Sequence, residues 1–221
     1  MGFLIKLKGK KLEEIQPYLE IAVDKILEGK IIAFPTDSVY GIGGDPLNLN
    51  VIDKIYNIKF RDRSKGLLLL VSDFEEANKI AKFNKLANKL AKEFWPGQLT
   101  LILKKKEPSL LPQEITAFKD TIGLRVPTNK IILNILNILK SRGFFGGIIG
   151  TSANYSGEAP CISGDEIAKK FLSPIDLIID GGKSKSKLAT TIVNCATEKP
   201  EFLRIGNLTK EQIQEKLSVD D

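Results

Sequence analysis

The segment PTDSVYGIGGD (residues 35–45) concentrates side chains that could hold a small polar ligand. It places the hydroxyls of Thr36, Ser38 and Tyr40 and two carboxylates beside three glycines that fall within four residues. A loop that only reverses the chain needs one or two glycines and a few polar residues. Glycine also lets a backbone approach a ligand closely, so the segment is interpreted as a binding loop.

Five other short segments carry cations, hydroxyls or amides where predicted strands begin or end. They are KFRDRSKG, TIGLRVP, TSANYSG, ATTIV and RIG. Each segment alone is typical of a solvated turn, but together they form a set rich in cations and small donors. Such a set fits a polyanion, for example a triphosphate, bound together with a carboxylate. The candidates are Thr36, Ser38, Tyr40, Lys59, Arg61, Lys65, Thr121, Arg125, Ser152, Asn154, Thr190 and Arg204.

The composition narrows the chemistry further. The chain has no histidine, which excludes histidine bases, histidine metal ligands and Ser-His or Cys-His catalytic pairs. Its two cysteines, Cys161 and Cys195, are too few for a zinc site or a disulfide framework, and we expect both to be buried. The net charge of +6 favours anionic partners. Only five of the basic residues are arginines, whose rigid fork suits bidentate contacts.

Two segments resemble phosphate-binding motifs but do not match them. The stretch LIIDGGKS (residues 177–184) ends like a P-loop, yet Leu177 stands where the first glycine is required and a strand is predicted to follow. The glycines Gly41, Gly43 and Gly44 lack the spacing of a dinucleotide-binding fingerprint. The chain also has no apolar run long enough to span a membrane and no signal-peptide pattern, so a cytoplasmic protein without membrane contact is predicted.

The predicted strands and helices alternate along the chain without internal repeats or low-complexity linkers. Strands are predicted at 3–7, 30–34, 67–71, 99–103, 122–126, 147–151, 176–179, 190–195 and 201–204, with the first at a sheet edge. Helices are predicted at 17–29, 50–59, 73–82, 84–94, 128–142 and 163–172, and after a capping box at Thr209 and Gln212. Residues 104–119 are predicted to be an irregular, mobile surface loop. This order indicates an α/β fold: an open twisted mixed sheet flanked by helices.

Taken in order, PTDSVYGIGGD, KFRDRSKGLLLL, WPGQLTLIL, GLRVP, TSANYSG and RIG resemble the YrdC-like family of threonylcarbamoyl-AMP synthases. The resemblance covers about residues 12–206 and implies a single YrdC-like domain over residues 1–221. It implies a reaction in which L-threonine, bicarbonate or CO2, and ATP with Mg²⁺ give threonylcarbamoyl-AMP and pyrophosphate. The adenylate would then serve the modification of tRNA adenosine 37 (t6A37) through downstream transferase proteins.

The resemblance also assigns roles to residues. No covalent nucleophile is expected from the chain, because the carbamate formed on threonine attacks the α-phosphate itself. L-threonine is expected at Ser38, Arg125, Gly150 and Thr190. ATP is expected at Arg61, Lys65, Thr121, Ser152 and Arg204. The residues expected to line or brace the same cavity are Thr36, Tyr40, Lys59 and Asn154.

Two alternatives remain open at this point. A non-catalytic protein that binds double-stranded RNA or tRNA could use the same basic groups, and its affinity would fall steeply with salt and be independent of threonine. A sugar-phosphate lyase such as a dihydroxybutanone-phosphate synthase would need an acidic metal cluster and a histidine, and the chain has no histidine.

Overall fold

The computed structural model describes residues 2–171 and 175–218, and all structural statements refer to these residues. The helices are α1 (Leu12–Leu27), α2 (Leu49–Lys59), α3 (Phe74–Ile80), α4 (Lys85–Phe94), α5 (Lys130–Ser141), α6 (Gly164–Lys170) and α7 (Lys210–Ser218), with a 3₁₀ turn at Gln113–Thr116. The strands are β1 (Phe3–Lys6), β2 (Ile32–Phe34), β3 (Gly41–Gly43), β4 (Leu68–Val71), β5 (Ala81–Lys82), β6 (Leu99–Lys105), β7 (Thr121–Arg125), β8 (Gly147–Ile149), β9 (Thr151–Ser152), β10 (Leu177–Asp180), β11 (Thr191–Asn194) and β12 (Glu201–Arg204).

The strands form two mixed sheets. A smaller sheet has the order β1-β10-β2-β3-β9, and a larger one has the order β12-β11-β6-β7-β4-β8, with β5 paired to β6. Each contains parallel and antiparallel pairs, such as β10 with β2 and β2 with β3. The predicted mixed α/β class is confirmed, as is the position of β1 at a sheet edge. The division into two sheets is a difference from the one sheet expected.

The link between the sheets is a break at Gly150 in the strand predicted for residues 147–151. Before it, β8 pairs with β4 in the larger sheet, and after it β9 pairs with β3 in the smaller one. The Gly150 amide donates to the Leu68 carbonyl at 2.8 Å. A Cβ at Gly150 would lie 2.3 Å from Leu70 Cγ, so a side chain would separate the two sheets where the chain crosses between them.

The glycines of the 35–45 segment serve packing as well as the loop. A Cβ on Gly43 would lie 1.6 Å from the backbone oxygen of Ile149, and one on Gly44 would lie 2.8 Å from the Lys30 oxygen. Both positions therefore need glycine for close contact between backbones, not for ligand approach. Only Gly41 of the three borders the cavity described below.

Helix α1 shows where the sequence prediction was wrong. The helix begins at Leu12 and not at Pro17, and the Lys11 amide is satisfied by donating to Glu14 Oε2 at 2.7 Å. Pro17 lies in the second turn, where it removes one helical hydrogen bond. The cost is offset because one face of the helix is fully packed. That buried face consists of Ile15, Leu19, Ala22, Val23 and Ile26.

Most other predicted elements are confirmed within a few residues. Asn48 caps α2 by accepting hydrogen bonds from the two amides that follow Leu49, and Thr209 and Gln212 form the predicted reciprocal capping box. The helix predicted for 163–172 is α6, and residue 172 lies outside the described residues. The segment 104–119 is not wholly a surface loop, because Ile115 is fully buried and its carbonyl accepts the Leu67 amide at 2.8 Å.

Two apolar clusters support this arrangement. The larger packs α2, α3 and α4 against the strands of the larger sheet, and the second packs α1 and α5 against β2, β8 and β10. Cys161 and Cys195 are both buried and free, as predicted. Among the described helices, none has the length and apolar character needed to cross a bilayer.

Candidate active site

A cavity of about 160 Å³ lies between the two sheets. The smaller sheet contributes the loop between β2 and β3 together with β9, and the larger sheet contributes residues of β4, β6, β7, β11 and β12. Nine of the thirteen residues proposed from the sequence line this cavity. They are Thr36, Ser38, Tyr40, Arg61, Arg125, Gly150, Ser152, Thr190 and Arg204.

The other four proposed residues do not line the cavity: Lys59, Lys65, Thr121 and Asn154. Lys59 Nζ donates to the carbonyls of Ser152 and Asn154, the latter at 2.7 Å, so it braces the wall from behind. The side chain of Lys65 is exposed, and the Lys65 carbonyl accepts Arg61 Nε at 3.1 Å. Thr121 begins β7, at the opposite end of that strand from Arg125.

Arg125 is the most enclosed cation of the cavity, with only 5% of its surface exposed. Its Nε donates to the Gly97 carbonyl at 2.8 Å, and its Nη1 donates to Ser38 Oγ at 3.1 Å. Its Nη2 pairs with Asp37 Oδ2 at 2.6 Å. Burial lowers the pKa of Arg125, while the negative charge of Asp37 acts in the opposite direction. The guanidinium is therefore fixed on three sides, and its remaining N–H groups are available to a ligand.

Small hydroxyls form two connected groups beside Arg125. Thr36 Oγ1 donates to the Val39 carbonyl at 2.6 Å and lies 3.0 Å from Ser38 Oγ, so the loop holds its own hydroxyls in place. On the larger sheet, Thr190 Oγ1 lies 2.8 Å from Thr100 Oγ1. These groups present donors and acceptors of the size that suits a small polar molecule.

Arg61 reaches the cavity because of the way α2 ends. The helix stops at Phe60, whose φ of 48° is left-handed, and the Arg61 amide then donates to the Tyr56 carbonyl at 2.9 Å. The guanidinium of Arg61 bridges the next loop by donating to the carbonyls of Lys65 and Gly66, the latter at 2.7 Å. This turn directs Arg61 to the cavity while its neighbours remain on the surface.

Arg204 enters from the opposite side, at the end of the edge strand β12. Its Nε donates to the Thr190 carbonyl at 2.9 Å, and its Nη2 donates to Thr190 Oγ1 at 3.2 Å. Partial desolvation and then the like charges of Arg125 and Arg61 lower its pKa. The charges of the other two arginines therefore act on Arg204. Within residues 2–171 and 175–218, neither Arg61 nor Arg204 forms an ion pair, whereas Arg125 does.

Two further buried groups stabilise the walls. Burial lowers the pKa of Lys59 to about 7, and the positive charge of Arg61 contributes in the same direction. Tyr40 Oη lies 2.8 Å from Asp180 Oδ1 and 2.6 Å from the Gly182 carbonyl. Burial first, and then Asp180, raises the pKa of Tyr40. The Tyr40 hydroxyl thus fastens the segment after β10 to the binding loop.

Some residues of the site were missed by sequence reasoning. Asp37 was noted only as one carboxylate of the loop, and its pairing with Arg125 depends on β7 lying beneath that loop. Gln98 donates through its side chain to the Asp37 carbonyl, and although it stands in the WPGQLTLIL segment, no role was predicted for it. The apolar side chains of Leu68 and Ile192 line the cavity as well, and their pattern indicated only buried strands.

The fold and the site are those of a known protein family, as comparison with known proteins shows. The family model of Sua5, YciO and YrdC proteins, described as "Telomere recombination", matches residues 24–206, and the chain belongs to this family. A threonylcarbamoyl-AMP synthase of Pyrococcus abyssi is 36% identical over 89% of this chain, and the match covers 56% of that relative. The structure of P. abyssi Sua5 complexed with L-threonine superposes with a TM-score of 0.88 at 33% identity, over 98% of this chain and 61% of that one.

Relatives of similar length also share the fold. Escherichia coli YciO superposes with a TM-score of 0.81 at 26% identity, over 96% of this chain and 98% of that one. The chain thus spans slightly more than half of the P. abyssi protein and nearly all of YciO.

Proposed function

We propose that this chain is a threonylcarbamoyl-AMP synthase, a nucleotidyltransferase that converts L-threonine, bicarbonate or CO2, and ATP to threonylcarbamoyl-AMP and pyrophosphate. The observation that carries the proposal is one cavity with two kinds of cationic group. Arg61 and Arg204 lack ion pairs among the described residues, whereas Arg125 is held by Asp37 and Ser38. Unpaired arginines suit phosphates, and a fixed guanidinium among hydroxyls suits an amino acid carboxylate.

The proposed reaction requires no nucleophile from the chain. The threonine ammonium first releases a proton to solvent, and the free amine nitrogen forms a bond to the carbon of CO2 and releases a second proton to solvent, giving a carbamate. From bicarbonate, this second proton leaves with the hydroxyl group as water. A carbamate oxygen then bonds to the α-phosphorus as the bond from that phosphorus to the bridging oxygen breaks. Pyrophosphate leaves with the electron pair. Catalysis of this kind rests on positioning and on neutralisation of charge.

The residues of the cavity divide these tasks. Arg61 and Arg204, with the hydroxyl of Ser152, would bind the triphosphate, and Lys65 and Thr121, which do not line the cavity, are proposed as further ATP contacts. Arg125 would bind the threonine carboxylate, with Ser38, Thr190 and the backbone at Gly150 beside it. The solved P. abyssi relative in complex with L-threonine supports the threonine side of this proposal.

Mg²⁺ is proposed to enter on the phosphates of ATP. In the part of the chain that the structure describes, no cluster of three acidic or thiol side chains could hold a metal ion. The carboxylate beside Arg125, Asp37, is already paired with it. The ion would thus take its ligands mainly from phosphate oxygens and water, a coordination that Mg²⁺ favours, and would offset phosphate charge.

The test is incubation with ATP, L-threonine and labelled bicarbonate, followed by chromatography for a labelled adenylate. Pyrophosphate release should require all three substrates, because the nucleophile is assembled from two of them. Release at the same rate with ATP alone would contradict the mechanism. A non-catalytic RNA-binding protein would yield no adenylate and would bind duplex RNA without regard to threonine. If the adenylate forms, its transfer to tRNA by downstream proteins is the next expected step.

A further inference from the structure

The three arginines of the cavity differ in charge balance. Arg125 pairs with Asp37 at 2.6 Å, with side-chain exposures of 6% and 13%. Arg61 and Arg204 form no ion pair with any described residue, and their guanidinium groups donate to neutral backbone or hydroxyl oxygens. One part of the cavity thus carries two arginines without an ion-pair partner, although the nearby Asp62 carboxylate acts on Arg61, and the other part is close to neutral.

Asp37 is well placed to set this balance without touching the ligand. It does not line the cavity and instead lies behind Arg125, where Oδ1 accepts the Thr128 amide at 3.1 Å. Gln98 holds the Asp37 carbonyl through its side chain. Asp37 is therefore held at its backbone by the segment that precedes β6 and at its carboxylate by the segment that follows β7. A carboxylate fixed in this way reduces the attraction of Arg125 for any free anion.

We infer that Asp37 is a specificity-determining positioning residue, which neutralises Arg125 so that phosphate groups are excluded from the part of the cavity that takes the amino acid. This inference rests on the proposed function for the identity of the two substrates. A multiply charged phosphate gains most where positive charge is uncompensated, at Arg61 and Arg204. A zwitterion carries no net charge, so an arginine paired with a carboxylate can still orient its single carboxylate through directed hydrogen bonds.

If Asp37 has this role, removal of its negative charge should create a new phosphate-binding site at Arg125. Asp37→Asn is close to isosteric, and its amide oxygen can still accept the Thr128 amide, which keeps that anchor of the loop. Its Nδ2 then faces the Arg125 Nη2, and two donors cannot bond each other, so Arg125 loses its partner. Arg125 then becomes uncompensated, and a phosphate can compete for it. A purely structural role for Asp37 would lower the affinity for threonine but would not create a new anion site.

The experiment is isothermal calorimetry with inorganic pyrophosphate as the probe, with and without L-threonine. In the wild type, pyrophosphate should occupy one site and leave the threonine Kd unchanged. In Asp37→Asn it should occupy a second site and compete with threonine there. The apparent threonine Kd should then rise with the pyrophosphate concentration, by about tenfold when that concentration is about ten times the Kd of the second site. Asp37→Glu, which keeps the charge, should restore the wild-type pattern, and Asp37→Asn combined with Arg125→Ala should lose the second site.

Asp45→Asn is the matched control, because it removes the same charge from the same segment. The Asp45 carboxylate accepts the Leu47 amide at 2.9 Å and does not border the cavity, so its loss should add no pyrophosphate site. A second site already present in the wild type, or none in folded Asp37→Asn, would overturn the inference. Failure of the wild type to bind threonine would instead contradict the proposed function, and the pyrophosphate stoichiometry would still decide the role of Asp37.

Discussion

Arginines 61 and 63 offer a direct test of how α2 directs one cation to the cavity and leaves another outside. Arg61 lines the cavity, is partly buried and has no carboxylate partner among the described residues. Arg63 has 55% of its side chain exposed, pairs with Asp53 at 2.6 Å and lies 5.2 Å from the ring of Tyr56. The two side chains are two residues apart but belong to different surfaces.

The expected magnitude follows from the environment of Arg61. A hydrogen bond to a charged group contributes about 1.5–3 kcal/mol, which corresponds to about a 10- to 150-fold change in affinity. Arg61→Ala should therefore raise the Kd for ATP by about this factor in calorimetry. Arg63→Ala should change it by less than about twofold, because an exposed ion pair contributes little and faces away from the ligand.

A control is needed to distinguish the loss of a phosphate contact in Arg61→Ala from disruption of the loop that follows α2. Arg61 also holds the carbonyls of Lys65 and Gly66, so its removal could loosen that turn. Threonine affinity, measured on the same sample, should stay within about twofold of the wild type. Arg61→Lys retains the charge without the fork and should give an intermediate loss. Equal losses of ATP affinity at positions 61 and 63 would refute the reasoning.

Other parts of the site lead to three more predictions. Arg125→Lys should weaken threonine binding by about tenfold or more in calorimetry with little change for ATP, because a point charge cannot reproduce a fork that bonds Ser38; full retention of affinity would contradict this. Gly43→Ala should lower the free energy of unfolding in urea by about 1–3 kcal/mol or more, since its Cβ would meet the Ile149 oxygen, and an unchanged midpoint would contradict it. Because the folded-state pKa of Lys59 is about 7, below the ordinary 10.5, the unfolded chain binds more protons between these values. The free energy of unfolding of the wild type should therefore rise with pH across that window relative to Lys59→Met, and parallel pH curves would contradict the assignment.

Local chemistry made much of the fold predictable. Runs such as Leu67–Val71 are apolar on both faces and indicated inner strands, and the caps at Asn48 and Thr209 indicated helix starts. The prediction failed where tertiary packing outweighed a local preference. Pro17 favours the first turn of a helix, yet the buried face that begins at Ile15 extends α1 toward the N-terminus. Gly150 showed in the sequence as one residue of a strand, because only the packing against Leu70 separates β8 from β9.

The site shows more clearly that local sequence patterns cannot predict which residues come together in the fold. By residue type and local pattern, Arg61, Arg125 and Arg204 are equivalent, since each is an arginine at the end of a predicted element, and only the family resemblance assigned them to different substrates. Their difference comes from the order of strands: β7 runs beneath the loop that carries Asp37, while β12 is an edge strand with no carboxylate near Arg204 in the described structure. Asp37 and Arg125 are far apart in the chain, so no local pattern could pair them. The residue types could therefore indicate that anions bind here, but only the sheet arrangement determines which arginine retains its charge for them.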